Sequence, residues 1–68
     1  MIDEHRSDLP DTLASPARRA LAAIGIQRLE QLTSLREDEV ASLHGMGPKA
    51  INQLRDALAA RGLRFAGR

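Results

Sequence analysis

The stretch His44-Gly45-Met46-Gly47-Pro48-Lys49-Ala50-Ile51 sets two glycines around one apolar residue and follows them with a proline and a lysine. Two helices joined by so few residues need backbone of positive φ, which glycine adopts at no steric cost, so the stretch turns the chain sharply from one helix into the next. Gly45 is expected to cap the helix before the turn, and Met46 to point inward and pin the turn to a core. Pro48 suits the first position of the following helix, where its missing N–H is not needed. Gly47 removes a side chain where the N-terminus of that helix is presented.

The rest of the chain divides around similar breaks. Ser15-Pro16 reads as a helix start, with Ser15 as N-cap and Pro16 at the first position. Ala17, Ala20, Leu21 and Ile24 recur at i, i+3, i+4 and i+7, one apolar stripe, and Gly25 is expected as a left-handed cap. Leu29 and Leu32 mark a short second helix over 28–33. Glu37-Asp38-Glu39 favours the start of a third, which Val40 and Leu43 anchor and Gly45 stops. Ile51, Leu54 and Leu58 share a face of the fourth, which Gly62 closes, and Leu63 to Phe65 is expected to fold back on it. No segment alternates like a strand. The expected fold is all-α, a compact bundle of four to five short helices.

An internal repeat supports this division. Ala23-Ile24-Gly25-Ile26 superimposes on Leu43-His44-Gly45-Met46 at an offset of 45 − 25 = 20 residues, and Ala20 on Val40. Each unit is helix, glycine, apolar residue, helix, although the second glycine of the later unit meets Gln27 in the earlier one.

With 68 residues and no cysteine, the chain has neither disulfides nor thiolate zinc to supplement a core. A domain of this size buries only about 60% of its unfolded surface, so stability is expected to be marginal. Phe65 is the sole aromatic residue, which removes the stacking platforms of single-strand binders and leaves an aliphatic core. No apolar run approaches a membrane span, and the acidic, polar start is unlike a signal peptide, so a soluble cytoplasmic protein is expected. Met1 to Asp11 carries Asp3, Glu4, Asp8 and Asp11 against Arg6, a sum of −3, which leaves +4 on the remainder of a chain with net charge +1. Residues 1–8 read as a flexible acidic tail and 9–68 as one domain.

Bare N–H groups at a helix N-terminus, with Lys49 in the first turn, suit an anion, and phosphate is the obvious one. The plainer reading is that the glycines only turn the chain. A Walker loop does not fit, because Ala50 rather than Ser or Thr follows Lys49. His44 near a helix C-terminus is equally a partner of the dipole, and Arg28, Arg55, Arg61, Arg64 and Arg68 read singly as solvated charges. His5 belongs to no ligand spacing, so neither a metal nor a cofactor is expected. No nucleophile, base and orienting group recur at useful spacing, so the chain reads as a non-enzyme.

Gly45-Met46-Gly47-Pro48-Lys49-Ala50 resembles the hairpin of the helix-hairpin-helix family of DNA-binding domains. With the weaker hairpin at Gly25-Ile26, the region from about Leu9 to Phe65 resembles two such units in tandem, most closely the C-terminal domain of the bacterial RNA polymerase alpha subunit. The ending Leu58-Ala59-Ala60-Arg61-Gly62-Leu63 shares in that likeness. The resemblance implies binding to the backbone of double-stranded DNA, largely without sequence preference, by a small stand-alone module. It points to Gly45, Met46, Gly47, Pro48, Lys49, Ala50 and Gln53 at the second hairpin, Arg18 and Arg19 on the first helix, and Gly25 and Arg28 at the first hairpin. It also implies that hairpin carbonyls can hold a monovalent cation. The chain departs from the pattern where Pro16 aligns with the polymerase domain's key arginine. That departure and the acidic tail favour the alternative, an adaptor for a transcription or DNA-repair protein with a weakened DNA face. The tail could also lie over the basic hairpin as an internal competitor for DNA.

Overall fold

Four helices form among residues 8–67, which the computed structural model of the chain describes: α1 (Ser15–Ala23), α2 (Leu29–Leu32), α3 (Glu37–Ala41) and α4 (Pro48–Ala60). Only α4 reaches the length at which an isolated helix becomes even marginal in water, so the others depend on a shared core. The fold is all-α, and a lone parallel bridge between Arg36 and Ala66 is the only strand-like pairing among the described residues.

The helix ends follow two of the expected glycines closely. At Gly25, with φ 79°, the Ile26 N–H donates to the Leu21 carbonyl at 2.9 Å and the Gly25 N–H to Ala22 at 3.0 Å. At Gly62, with φ 73°, Leu63 donates to Leu58 at 2.8 Å and Gly62 to Ala59 at 2.9 Å. Both are complete Schellman caps, which satisfy carbonyls that would otherwise lack partners.

Three local expectations are corrected. Ser15 is not the N-cap of α1. That place belongs to Ala14, which is extended and accepts the Arg18 N–H at 3.1 Å, so Ser15 and Pro16 open the helix itself. Nor does α3 run to Gly45. It ends at Ala41, and a separate turn over Ser42 to Met46 is closed by the Met46 N–H on the Leu43 carbonyl at 3.1 Å. Ile24 does not join the apolar stripe. It occupies the C-cap of α1, where the backbone leaves its helical course, and is 44% exposed.

The core is aliphatic, with Phe65 at its edge. Ala17 and Leu21 of α1 meet Leu29 and Leu32 of α2, Val40 of α3, and Ala50, Ile51, Leu54 and Leu58 of α4, while Ile26, Leu9 and Leu13 close it from the connections. Leu63 packs against it as expected, but the chain end pairs with the α2–α3 connection, the Ala66 N–H donating to the Leu35 carbonyl at 2.8 Å.

Most of the tail expected over 1–8 lies outside the described residues; its last member, Asp8, is held firmly. The Asp8 N–H donates to the Gln27 carbonyl at 3.3 Å, its Oδ1 accepts the Leu29 N–H at 2.7 Å, and its Oδ2 lies 2.9 Å from the Arg61 guanidinium. Asp8 therefore caps α2 from twenty-one residues away and joins its start to the end of α4.

Candidate nucleic-acid interface

The two glycines of the second turn do different work. Gly45 has φ 92°, and a Cβ built on it would lie 2.8 Å from the Pro16 carbonyl oxygen and 3.3 Å from the Pro16 Cβ. The turn thus rests directly on the first turn of α1, and only a residue without a side chain permits that approach. Gly47 has ordinary extended backbone, φ −119° and ψ 174°, and a Cβ there would meet nothing within 4 Å. Positive φ is required at Gly45 alone; Gly47 simply leaves open space in front of α4.

That space faces the start of α4. Gly47 is the N-cap, no side chain caps the helix, and its first bond is from the Ile51 N–H to the Gly47 carbonyl at 3.1 Å. Pro48 has no N–H, so Lys49 and Ala50 carry the backbone donors that precede this first bond. Met46 is half-buried against the core, as its expected inward role requires. Lys49 is exposed and forms no ion pair among the described residues.

Gln53, one turn further along α4, donates from Nε2 to the Thr12 Oγ1 at 3.0 Å and to the Thr12 carbonyl at 3.4 Å. Its amide is thereby engaged within the fold, tying α4 to the turn before α1. The sequence holds no signal for this partnership of residues 41 positions apart.

Arg18 and Arg19 part company. The Arg18 guanidinium donates to the Pro10 carbonyl at 2.7 Å and lies 3.9 Å from Asp11, so it clamps the segment leading into α1. Arg19 is exposed with no partner among the described residues, and it follows Pro16 by three positions, on the same side of α1 one turn on. Gly25 and Arg28 lie past the opposite end of α1, whose nine residues span about 13 Å. The fold therefore brings Gly45, Gly47, Lys49, Ala50, Gln53, Pro16 and Arg19 to one junction and leaves the first hairpin away from it.

The remaining arginines divide the same way. Arg55 pairs with Glu37 at 2.8 Å and Arg61 with Asp8 at 2.9 Å, and Arg36 grips Asp38 through Nε at 3.1 Å and Nη2 at 2.6 Å. That fork holds the Asp38 carboxyl below its ordinary range, chiefly through the hydrogen bonds, and raises Arg36 in turn. Arg19, Arg28, Lys49 and Arg64 are left without an ion pair among the described residues.

Among the described residues no polar or charged side chain is buried, and no three metal-binding groups come together. No helix among them is long and apolar enough to cross a membrane. The junction is an open surface that presents the uncapped start of α4 and the exposed residues Lys49 and Arg19.

No family model matches the chain, and no solved structure matches it. Over 45 residues it is 38% identical to the DNA-directed RNA polymerase subunit alpha of Mycoplasma mycoides subsp. mycoides SC. The matched stretch takes in 66% of this chain and 14% of that subunit, so the chain is similar to a small part of an RNA polymerase alpha subunit.

Proposed function

We propose that this chain is a helix-hairpin-helix module, related to the C-terminal domain of the polymerase alpha subunit, that binds the phosphate backbone of double-stranded DNA with little sequence preference. The observation that carries the reading is the contact of Gly45 with Pro16, which sets the uncapped start of α4 beside the first turn of α1. Lys49 and Arg19 flank this junction, both exposed and both without an internal partner among the described residues. Phosphate meets backbone N–H groups at the helix start, the positive end of the α4 dipole, and two cations.

The assignment among the expected residues sharpens accordingly. Gly47, Lys49 and Ala50 offer the helix start, and Arg19 adds charge from α1. Gly45, Met46 and Pro48 shape the turn, Arg18 and Gln53 brace the surface behind it, and Gly25 and Arg28 take no part. With few phosphate contacts and no long side chain aimed at base edges, affinity falls at or below the usual ~10⁻⁴ to 10⁻⁶ M of non-specific complexes.

The test is a fluorescence anisotropy titration into labelled duplex DNA at two salt concentrations, beside Lys49→Glu. Saturable binding that weakens with salt and is lost in a folded Lys49→Glu protein supports the reading. A folded wild-type chain that fails to bind at low salt defeats it. The adaptor reading then gains weight, since Pro16 stands where the polymerase domain's arginine is expected and Ile24 offers an apolar contact elsewhere.

A further inference from the structure

Two adjoining hollows, of about 370 and 630 Å³, share Glu37, Ala41 and Arg55 and so form one groove between α3 and α4. Gly47 and Pro48 line one end of it, at the uncapped start of α4, and Arg64 and Gly67 line the other. Asn52 and Arg55 follow Pro48 at i+4 and i+7, so one face of α4 leads from the first end towards the second. The neighbouring face is already in use, since Gln53 there donates to Thr12.

Charge decides what this groove can take. Its charged lining residues are Arg36, Arg55 and Arg64 against Glu37 and Asp38. Arg36 and Asp38 are closed on each other by hydrogen bonds of 3.1 and 2.6 Å, which leaves two guanidiniums for one acid. Arg55 meets Glu37 through a single contact of 2.8 Å, with the two side chains 54% and 44% exposed, and so exposed a pair holds weakly against a competing anion. Arg64 is exposed and has no ion pair among the described residues. Guanidinium is the side chain best shaped to grip phosphate. Arg55 stands six residues beyond Lys49, about 9 Å along α4, and each strand of B-DNA carries a phosphate about every 3.4 Å of its axis. A strand held at Lys49 therefore has further phosphates to offer Arg55.

We propose that the DNA backbone held at the start of α4 continues along this groove to Arg55 and Arg64, and that Glu37 competes with it for Arg55. The inference rests on the reading of the α4 start as a phosphate site. It adds a second contact region and an internal acid that limits affinity.

The experiment is an anisotropy titration of the whole chain into labelled duplex DNA at several salt concentrations, with circular dichroism on every variant. Arg64→Gln is expected to weaken binding about threefold or more and to reduce the slope of log K against log salt by roughly one. Arg28→Gln removes the same charge from a residue outside the groove and should change affinity by less than about twofold. Glu37→Gln is expected to raise affinity about threefold or more, and the gain should vanish when Arg55→Gln is added. An Arg64→Gln protein that binds as tightly as Arg28→Gln overturns the proposal, as does a Glu37→Gln gain that survives Arg55→Gln. If either result comes while the wild-type chain binds and Lys49→Glu does not, the start of α4 keeps its role and the groove alone is lost as a contact. A folded wild-type chain that fails to bind at low salt defeats both readings.

Discussion

Gly45 and Gly47 stand two positions apart, and what a methyl group would meet at each is opposite. At Gly45 it meets the Pro16 carbonyl in a backbone of φ 92°, so Gly45→Ala is expected to destabilise the chain by roughly 2–3 kcal/mol in a urea titration. At Gly47 it meets open space in a backbone that any residue adopts. Gly47→Asp should cap the bare start of α4 and answer its dipole, raising stability by roughly 0.5–1 kcal/mol. The same carboxylate occupies the donors that phosphate would use, so DNA binding should fall as stability rises. A parallel fall in both would show that the turn is only structural. The Arg36–Asp38 fork makes a separate prediction. A carboxyl whose pKa is lowered by folding contributes stability above its unfolded pKa and loses it as pH falls through the folded value. Asp38 should therefore titrate below the ordinary aspartate range by NMR, and Arg36→Ala should return it towards that range. Being largely exposed, the pair adds little to overall stability.

Among the elements, α2 shows how a four-residue helix survives in water. Leu29 and Leu32 bury one face, and the Gln31 Oε1 accepts the N–H groups of Gln27 and Arg28, both at 2.8 Å. The Leu29 donor is satisfied by Asp8, from outside the element. Asp8→Ala is expected to cost about 1 kcal/mol through this lost cap, while Asp8→Asn, which keeps an acceptor, should cost less. Equal losses in thermal melts would assign the effect to the Arg61 ion pair instead. α4 needs no such help, since Ile51, Leu54 and Leu58 bury one stripe and Gly62 closes its last turn.

At the scale of the molecule, the described chain begins beside Arg61 at the C-terminal end of α4, whose thirteen residues place Lys49 about 20 Å away. Met1 to Ser7 would have to extend almost fully to reach the hairpin, since a residue spans at most about 3.6 Å. Removing residues 1–7 is therefore expected to leave DNA affinity within about twofold of the whole chain, apart from any small change in charge steering. A large gain in affinity would instead restore the acidic segment as a competitor for the hairpin. The truncation must stop before Asp8, because losing that residue uncaps α2.

The all-α architecture was legible in the order of residues because it rests on local physics. The i, i+3, i+7 spacing of Ile51, Leu54 and Leu58, proline in the first turns of α1 and α4, and glycine after Ile24 and Arg61 each act within a few positions along the chain. The position of Lys49 at a helix start could be read in the same way. The tertiary structure alone decided which of the two similar turns rests on α1, because the Gly45–Pro16 contact joins residues far apart in sequence. It likewise separated Arg18, committed to Pro10, from its neighbour Arg19, and bound Gln53 to Thr12 and Asp8 to α2. Periodicity shows which face of a helix is apolar, but not which distant polar group will lie against its other side. The candidate interface is thus local at each of its residues and non-local in its assembly.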